Sequence, residues 1–328
     1  MRVLVLGAAG MIGRKLVAAI VKDGGVAGKE VTALTLVDVV EPARPAGFAG
    51  DVTTEAVDFS QPGVADRLIA QRPEVIFHLA AIVSGEAEKD FDKGYRINLD
   101  GTRLLIEAIR HEGLRAPYRP RLVFTSSIAV FGAPFPETIP DEFNLTPQTS
   151  YGTQKAISEL LIDDYSRRGI LDGVSIRLPT ICIRPGLPNA AASGFYSNIL
   201  REPLVGQEAI LPVEDTVRHI HASPRSAVGF LKHAASLPME ALGNHRALTM
   251  PGLCATVAEQ IEALGRIAGP KAVALIRREP DPFIMGIVAN WAQNVESGRA
   301  RKLGFTVESN FDEIIRAHIE DELGGQIA

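Results

Sequence analysis

Residues 2–13 read Arg-Val-Leu-Val-Leu-Gly-Ala-Ala-Gly-Met-Ile-Gly, an apolar strand that runs into a glycine-rich turn and then into a helix. Such a turn asks for glycine three times. Gly7 allows the tight turn, Gly10 lets backbone approach a pyrophosphate, and Gly13 lets helix and strand pack closely, with the anion at the helix N-terminus. The spacing, Gly-x-x-Gly-x-x-Gly, is one residue longer in its first gap than the usual dinucleotide fingerprint. A second signal joins it. Thr35-Leu36-Val37 ends in Asp38, about 25 residues beyond Gly13, near the separation at which an acid reads a ribose 2′-hydroxyl. A carboxylate there repels a 2′-phosphate, so NAD is expected rather than NADP. Arg14 and Arg44 are the nearby cations that bear on this choice.

Working outward, short β-rich runs alternate with helix-period segments. Val3–Leu6, Thr32–Val37, Val57–Phe59, Val75–Leu79, Arg121–Thr125 and Val174–Leu178 read as strands; 12–22, 63–71, 97–111 and 151–168 read as helices. This alternation predicts an α/β fold, a Rossmann-type doubly wound parallel sheet. Leu104, Leu105 and Ile109, and Leu160 with Leu161, read as core-facing stripes of two of those helices. After about residue 180 prolines become frequent and the apolar period breaks up. The expectation is a dinucleotide-binding domain over 1–178, returning at 246–268 as a strand and a helix. A smaller, discontinuous C-terminal substrate domain would occupy 179–245 and 269–328.

The chain has 328 residues, 46% hydrophobic and 22% charged, with a net charge of −5. The charges are interspersed, which gives no basic face for nucleic acid. Cys182 and Cys254 are the two cysteines and have neither zinc nor disulfide spacing. No apolar run is long enough to span a membrane, and no leader-like segment precedes the first strand. A cytoplasmic protein with no nucleic-acid or membrane partner is expected.

The chemistry concentrates further along. Tyr151-Gly152-Thr153-Gln154-Lys155 sets a phenol and an ammonium four residues apart, on one face of a helix. Upstream, Thr125-Ser126-Ser127 ends an apolar strand, where α/β sheets present ligands. Oxidising an alcohol requires removal of its hydroxyl proton as hydride leaves carbon. A free tyrosine titrates near roughly 10, too high for a base at neutral pH. A lysine cation beside it favours the phenolate, and a serine hydroxyl can hold the substrate oxygen. Ser126 and Ser127 both satisfy the spacing.

These motifs, GAAGMIG, His78-Leu79-Ala80-Ala81, Asn98 in Asn-Leu-Asp-Gly-Thr, TSSIAVFG and YGTQK, resemble those of the extended short-chain dehydrogenase/reductase superfamily. The resemblance implies that Met11 and Ile12 line the pyrophosphate, that Asp58 and Phe59 flank the adenine, and that His78, Leu79, Ala80 and Ala81 pass beneath the nicotinamide half. It implies further that Pro179 touches the cofactor and that Asn98 supports the proton network. Tyr151, Lys155 and a serine, best aligned as Ser127, would be catalytic, with a homodimer formed through the 98–111 and 151–168 helices. Phe131 replaces a tyrosine usual in that motif. Longer stretches, such as LDGVSIRLPTICIRPG and DTVRHIHASPRSAVGFL, resemble the branch that oxidises the 2-hydroxyl of a four-carbon sugar acid with NAD⁺.

A substrate carboxylate wants a guanidinium, and Arg184 or Arg218 could supply one, with Asn189, Ser193 and His219 or His221 as polar support. The His-x-His pair lacks a carboxylate or thiolate to complete a metal set, so no metal is expected. The rival readings are an L-threonine dehydrogenase, a nucleotide-sugar epimerase or dehydratase, and an NAD(P)-sensing regulator without turnover.

Overall fold

The computed structural model describes residues 1–186 and 192–328. The chain divides into two compact units: Met1–Val130, Pro147–Arg177 and Val228–Thr249 form the first, and Phe131–Thr146, Leu178–Ala227 and Met250–Ala328 the second.

The first unit is built on seven strands, β1 (Arg2–Leu6), β2 (Ala33–Asp38), β3 (Asp51–Ala56), β4 (Val75–His78), β5 (Arg121–Ser127), β6 (Asp172–Leu178) and β7 (Ala247–Thr249). Their order is β7-β6-β5-β4-β1-β2-β3. The pairs β1–β2, β1–β4, β2–β3, β4–β5 and β6–β7 run parallel. Val3, at the centre, pairs with Leu34 on one side and Val75 on the other. Strands covered on both faces read as continuous apolar runs, and all four residues of β4 are buried. Strand β3 is the edge, and its Thr53, Thr54 and Glu55 leave it half exposed. That explains a correction: the third strand is Asp51–Ala56, not Val57–Phe59, because an edge strand needs few apolar side chains.

Helices α1 (Met11–Asp23), α2 (Val64–Ile69), α3 (Gly101–Arg115), α4 (Ser150–Arg167) and α5 (Pro224–Ser236) accompany these strands. Helix α1 buries Gly13, Leu16, Val17 and Ile20, and it ends where Gly24 turns left-handed at φ 68°. A π-helical turn, Tyr95–Asp100, leads into α3 and carries Asn98; such turns recur at functional sites. Leu105 and Ile109 are fully buried as expected, but Leu160 is 62% exposed. The buried stripe of α4 contains Lys155, Glu159, Ile162 and Ser166 instead.

In the second unit, Leu253–Thr256, Arg218–Ala222 and Thr180–Ile181 make a three-stranded sheet, and Ala209–Leu211 pairs in parallel with Ile276–Arg278. Helices Phe195–Leu204, Val257–Val273 and Phe311–Glu322 bury one core that includes Tyr196, Leu200, Ile261, Leu264 and Ile315. A capping box between Thr256 and Glu259 opens the second of these helices.

The division differs in three places from the boundaries read in the sequence. The return strand is present as β7, with Ala247 opposite Ser175. The 257–268 helix, however, lies in the second unit, while Val228–Ser236 of α5 lies in the first and Phe131–Thr146 in the second. An apolar period shows that a helix buries one face without showing against what.

Each unit holds a buried, neutral imidazole. Burial and the Lys155 charge push His78 down to about 3, and burial pushes His219 down to about 4 despite a hydrogen bond to the Ala292 carbonyl. An unfolded histidine takes up a proton near 6.5, so between that pH and about 4 the unfolded chain binds more protons than the native one, and stability falls with pH. Thermal melts at pH 7, 6, 5 and 4 are expected to show a progressive drop in Tm beginning below about 6.5. The His219→Gln variant should flatten part of that slope; a Tm unchanged from pH 7 to 4 would refute the assignment.

Candidate active site

The strand order reverses direction between β1 and β4, and in open α/β sheets ligands bind outside the carboxyl ends of strands at such a switch point. The turns after these two strands meet there. A Cβ on Gly7, whose φ is +86°, would lie 2.7 Å from the Ala80 nitrogen, and one on Gly13 would lie 2.1 Å from the Gly7 carbonyl oxygen. Neither position admits a side chain. Gly10 caps α1 without a side-chain hydrogen bond, and no acid occupies the first turn. The helix N-terminus is therefore left for an anion.

Asp38 stands at the end of β2. Its carboxylate accepts from the Ala9 amide at 2.9 Å and from the Val39 amide at 2.7 Å, which ties the acid to the glycine turn. Leu79, Ala80 and Ala81 are half-buried at the end of β4, while His78 is buried and bonds Thr102 Oγ1 at 2.9 Å. Met11 and Ile12 open α1 and are half-buried. These residues fit a dinucleotide: a cradle that a Cβ would fill, an uncapped helix end and a ribose acid.

Two expected contacts look different in three dimensions. The Asp58 carboxylate accepts from Ser60, Gln61 and Arg96, and these bonds hold it at about 2 against the opposing effect of burial. The Phe59 ring is buried edge-on to His78. The Phe59 ring is thus committed to the core, while the Asp58 side chain keeps 24% exposure. Pro179 follows β6 and belongs to the second unit.

Helix α4 begins with Thr149 as its N-cap, accepting from the Gly152 amide at 3.0 Å. A Cβ on Gly152 would lie 2.2 Å from the Ala129 carbonyl oxygen. Glycine here lets the first turn of α4, with Tyr151, press its backbone against the segment that follows Ser127. Lys155, one turn on, is 2% exposed; its Nζ donates to the Thr125 carbonyl at 2.8 Å and lies 4.6 Å from the Phe124 ring centroid and 5.6 Å from that of Tyr151. Burial pulls Lys155 down to about 7, opposed by the Glu159 carboxylate.

The two serines separate. Ser126 is buried and donates its hydroxyl to Glu159. Ser127 is half-buried and accepts from the Ala129 amide at 3.1 Å, which leaves its hydroxyl proton for a ligand. Of the two, Ser126 is committed to the core and Ser127 is the half-buried one. Asn98 is fully engaged: it accepts from the Ile82 amide at 2.9 Å and donates to the Ile82 carbonyl and to Gln154 Oε1. It pins the loop after β4 to α4, so it acts by positioning. Sequence reasoning missed Gln154, Glu159 and Arg177; only the place of Glu159, four residues after Lys155, could have signalled one of them.

In the second unit, Arg184 is half-buried, donates to Ser193 Oγ at 2.9 Å and to the Ile181 carbonyl at 3.1 Å, and its charge acts on His219 and His221. The Ala292 carbonyl can only accept, so His219 Nδ1 carries the proton and Nε2 accepts from the Thr180 hydroxyl at 2.7 Å. His221 Nε2 meets Gln260 Nε2 at 3.1 Å. Both imidazoles are thereby engaged with protein groups. Arg218 points from the opposite face of the strand and contacts Cys254. The structure therefore gathers Arg184, Ser193, Thr180 and His219 and leaves Arg218 apart; Asn189 lies outside the described residues.

A glycine turn at the switch point of a 3-2-1-4-5-6-7 sheet, with a tyrosine and a buried lysine on the helix before the sixth strand, defines a dinucleotide-dependent enzyme of the extended short-chain dehydrogenase/reductase type. The chain belongs to the NAD dependent epimerase/dehydratase family, whose pattern matches residues 3–218, and its cofactor is NAD. It is 45% identical to a D-erythronate dehydrogenase of Cupriavidus necator over 98% of both chains. A D-erythronate dehydrogenase of Haemophilus influenzae is 41% identical over 98% of this chain and 100% of its own. Among solved structures, a nucleoside-diphosphate-sugar epimerase from Agrobacterium tumefaciens superposes with a TM-score of 0.98 at 66% identity, over 100% of this chain and 96% of that one.

Two substitutions test the cofactor site. Gly13→Ala should abolish NAD⁺ binding or the fold, because its Cβ meets backbone. Asp38→Ala should weaken NAD⁺ by roughly tenfold or more, the loss of a charge-assisted hydrogen bond, and NADP⁺ far less. Isothermal titration with both dinucleotides reads the ratio, and an unchanged ratio would remove Asp38 from ribose recognition.

Proposed function

We propose that the chain oxidises the 2-hydroxyl of a four-carbon sugar acid with NAD⁺, converting D-erythronate to 2-oxo-D-erythronate. The observation that carries this reading is the likeness to D-erythronate dehydrogenases along both units rather than along the dinucleotide-binding unit alone. Bound NAD⁺ supplies the hydride acceptor. The protein supplies the rest. Tyr151 takes the proton of the C2 hydroxyl, Lys155 as an ammonium favours the phenolate that does so, and the Ser127 hydroxyl holds the substrate oxygen. Tyr151 receives the hydroxyl proton and releases it to solvent, and the C2 hydrogen with its bonding pair would go to NAD⁺, which balances the 2-oxo acid, NADH and a proton.

Arg184 is the proposed carboxylate clamp. Its bonds to Ser193 and to the Ile181 carbonyl fix the guanidinium plane in advance, which lowers the ordering cost of binding an acid. The Thr180 hydroxyl, oriented by His219, offers an oxygen to a substrate hydroxyl. Among the described residues no helix is long and apolar enough to cross a membrane, and a cytoplasmic homodimer is part of the proposal. Leu114 on α3 and Leu160 on α4, 74% and 62% exposed, are apolar side chains that a second copy could cover.

The second reading is a nucleoside-diphosphate-sugar epimerase, favoured by the likeness to the epimerase from Agrobacterium tumefaciens along the whole chain. NADH formation at 340 nm with D-erythronate, other four-carbon hydroxy acids and L-threonine, beside epimerisation of UDP-sugars, separates these enzymes. NAD binding without any turnover would indicate a regulator. With D-erythronate, Tyr151→Phe should lower kcat by about 10²–10⁴-fold and leave the NAD⁺ Kd unchanged. Arg184→Ala should raise KM by roughly 10–100-fold, as expected for a lost charged hydrogen bond, with Arg218→Ala within about twofold of the parent. The reverse order of the two arginines would move the clamp to Arg218.

A further inference from the structure

We infer that Glu159 is a positioning residue for the reaction: locked by Arg177 and Ser126, its carboxylate serves Lys155 as a counter-charge without contact and leaves the donors of Nζ for the ligands. The inference rests on the reading of Tyr151 and Lys155 as the proton-transfer pair.

Glu159 is 1% exposed and Arg177 5% exposed. Arg177 Nε reaches both carboxylate oxygens, at 3.0 and 3.2 Å, and Nη2 reaches Oε2 at 2.8 Å. The Ser126 hydroxyl donates to Oε1. Glu159 and Lys155 are four residues apart on the buried face of α4, the spacing at which a carboxylate and an ammonium ordinarily pair. Here they do not join: the oxygens go to Arg177 and Ser126, and Nζ goes to the Thr125 carbonyl. A direct ion pair would draw Nζ toward β6 and spend its protons. The guanidinium prevents this by holding the carboxylate in a fixed, bidentate geometry. The carboxylate still acts on Lys155 through a low-dielectric interior. Burial pulls Lys155 toward neutrality, and Glu159 opposes it.

The arrangement also fixes the strand end. Lys155 holds the Thr125 carbonyl and Glu159 holds the Ser126 hydroxyl, so α4 grips two successive residues of β5 immediately before Ser127. Arg177, bound to the carboxylate, opposes its effect on Lys155 in part. His78, on β4, feels the Lys155 charge and stays neutral. Tyr151 lies one turn before Lys155. Asp163, one turn after Glu159, is raised to about 6 by burial and by Glu159, against His245 and Arg246.

The test removes both buried charges together, because Glu159→Gln alone would strand Arg177. In the full chain carrying Glu159→Gln and Arg177→Met, the titration of Lys155, followed by NMR of lysine labelled at Cε, should move down, because Glu159 is the member of the pair that favours the lysine's charge. With NAD⁺ and D-erythronate, the alkaline limb of kcat should shift the same way, because the ammonium is lost at lower pH. At pH 7.5 kcat should fall in proportion to the ammonium lost, while both KM values stay within about twofold. A folded double variant with an unmoved Lys155 titration overturns the inference. The NMR readout needs no substrate, so an inactive parent would count against the proposed function and not against Glu159. Glu159→Asp, which keeps both charges, should hold the Lys155 titration near that of the parent; a drop as large as in the double variant would equally overturn it.

Discussion

A fully buried amine is among the more expensive groups for a fold to charge, because water must be replaced by fixed partners. Lys155 is such a group, and much of the first unit is arranged around it. The Phe124 ring face lies beneath Nζ, the Thr125 carbonyl accepts its proton, and a carboxylate one helical turn away lends charge without contact. For those partners to hold, α4 must sit close to the end of β5. Gly152 permits that approach by offering no side chain against the Ala129 carbonyl. The same closeness brings Tyr151 and Ser127 onto adjoining backbone. Tolerating the charge and assembling the site are one structural problem.

The cofactor end obeys a second steric constraint of the same kind. Gly7 and Gly13 are forced by backbone, not by ligand: each would drive a Cβ into a carbonyl or amide less than 3 Å away. Closing these gaps sets α1 directly behind β1, with its first amides open. The Asp38 carboxylate then spans from β2 to the turn. In the second unit, by contrast, polarity is buried as neutral pairs. His219 with Thr180, and His221 with Gln260, are hydrogen-bonded imidazoles kept uncharged by burial, against which Arg184 is the local charge.

Legibility in the sequence followed the range of the interactions. The glycine turn, Asp38 and the tyrosine–lysine spacing are local, since each depends on a few residues of one strand or helix, and all were visible as motifs. Strand β3 was misplaced because an edge strand tolerates Thr53, Thr54 and Glu55 where a central one would not. Leu160 looked like core because leucine on an amphipathic helix usually is; α4 instead buries Lys155 and Glu159. A period of 3.6 residues could not say that the Val257–Val273 helix would pack with Phe311 and Ile314 rather than return to the sheet. Asn98 carried its motif plainly, yet its task of pinning the loop at Ile82 through Gln154 needed the third dimension.

By itself, then, the sequence determined the class of fold, the cofactor, and the tyrosine–lysine spacing of the proposed proton-transfer pair, because steric demand and chemical type are written within a turn or two of chain. Tertiary structure alone gave the Ser126 hydroxyl to Glu159 and left Ser127 half-buried, set Arg184 apart from Arg218, and joined Glu159 to Arg177 across 18 residues of chain. Those choices depend on which buried polar group finds which partner. An unpaired one costs more than a well-made bond returns, so the pairing is settled by packing among distant elements and leaves no local trace.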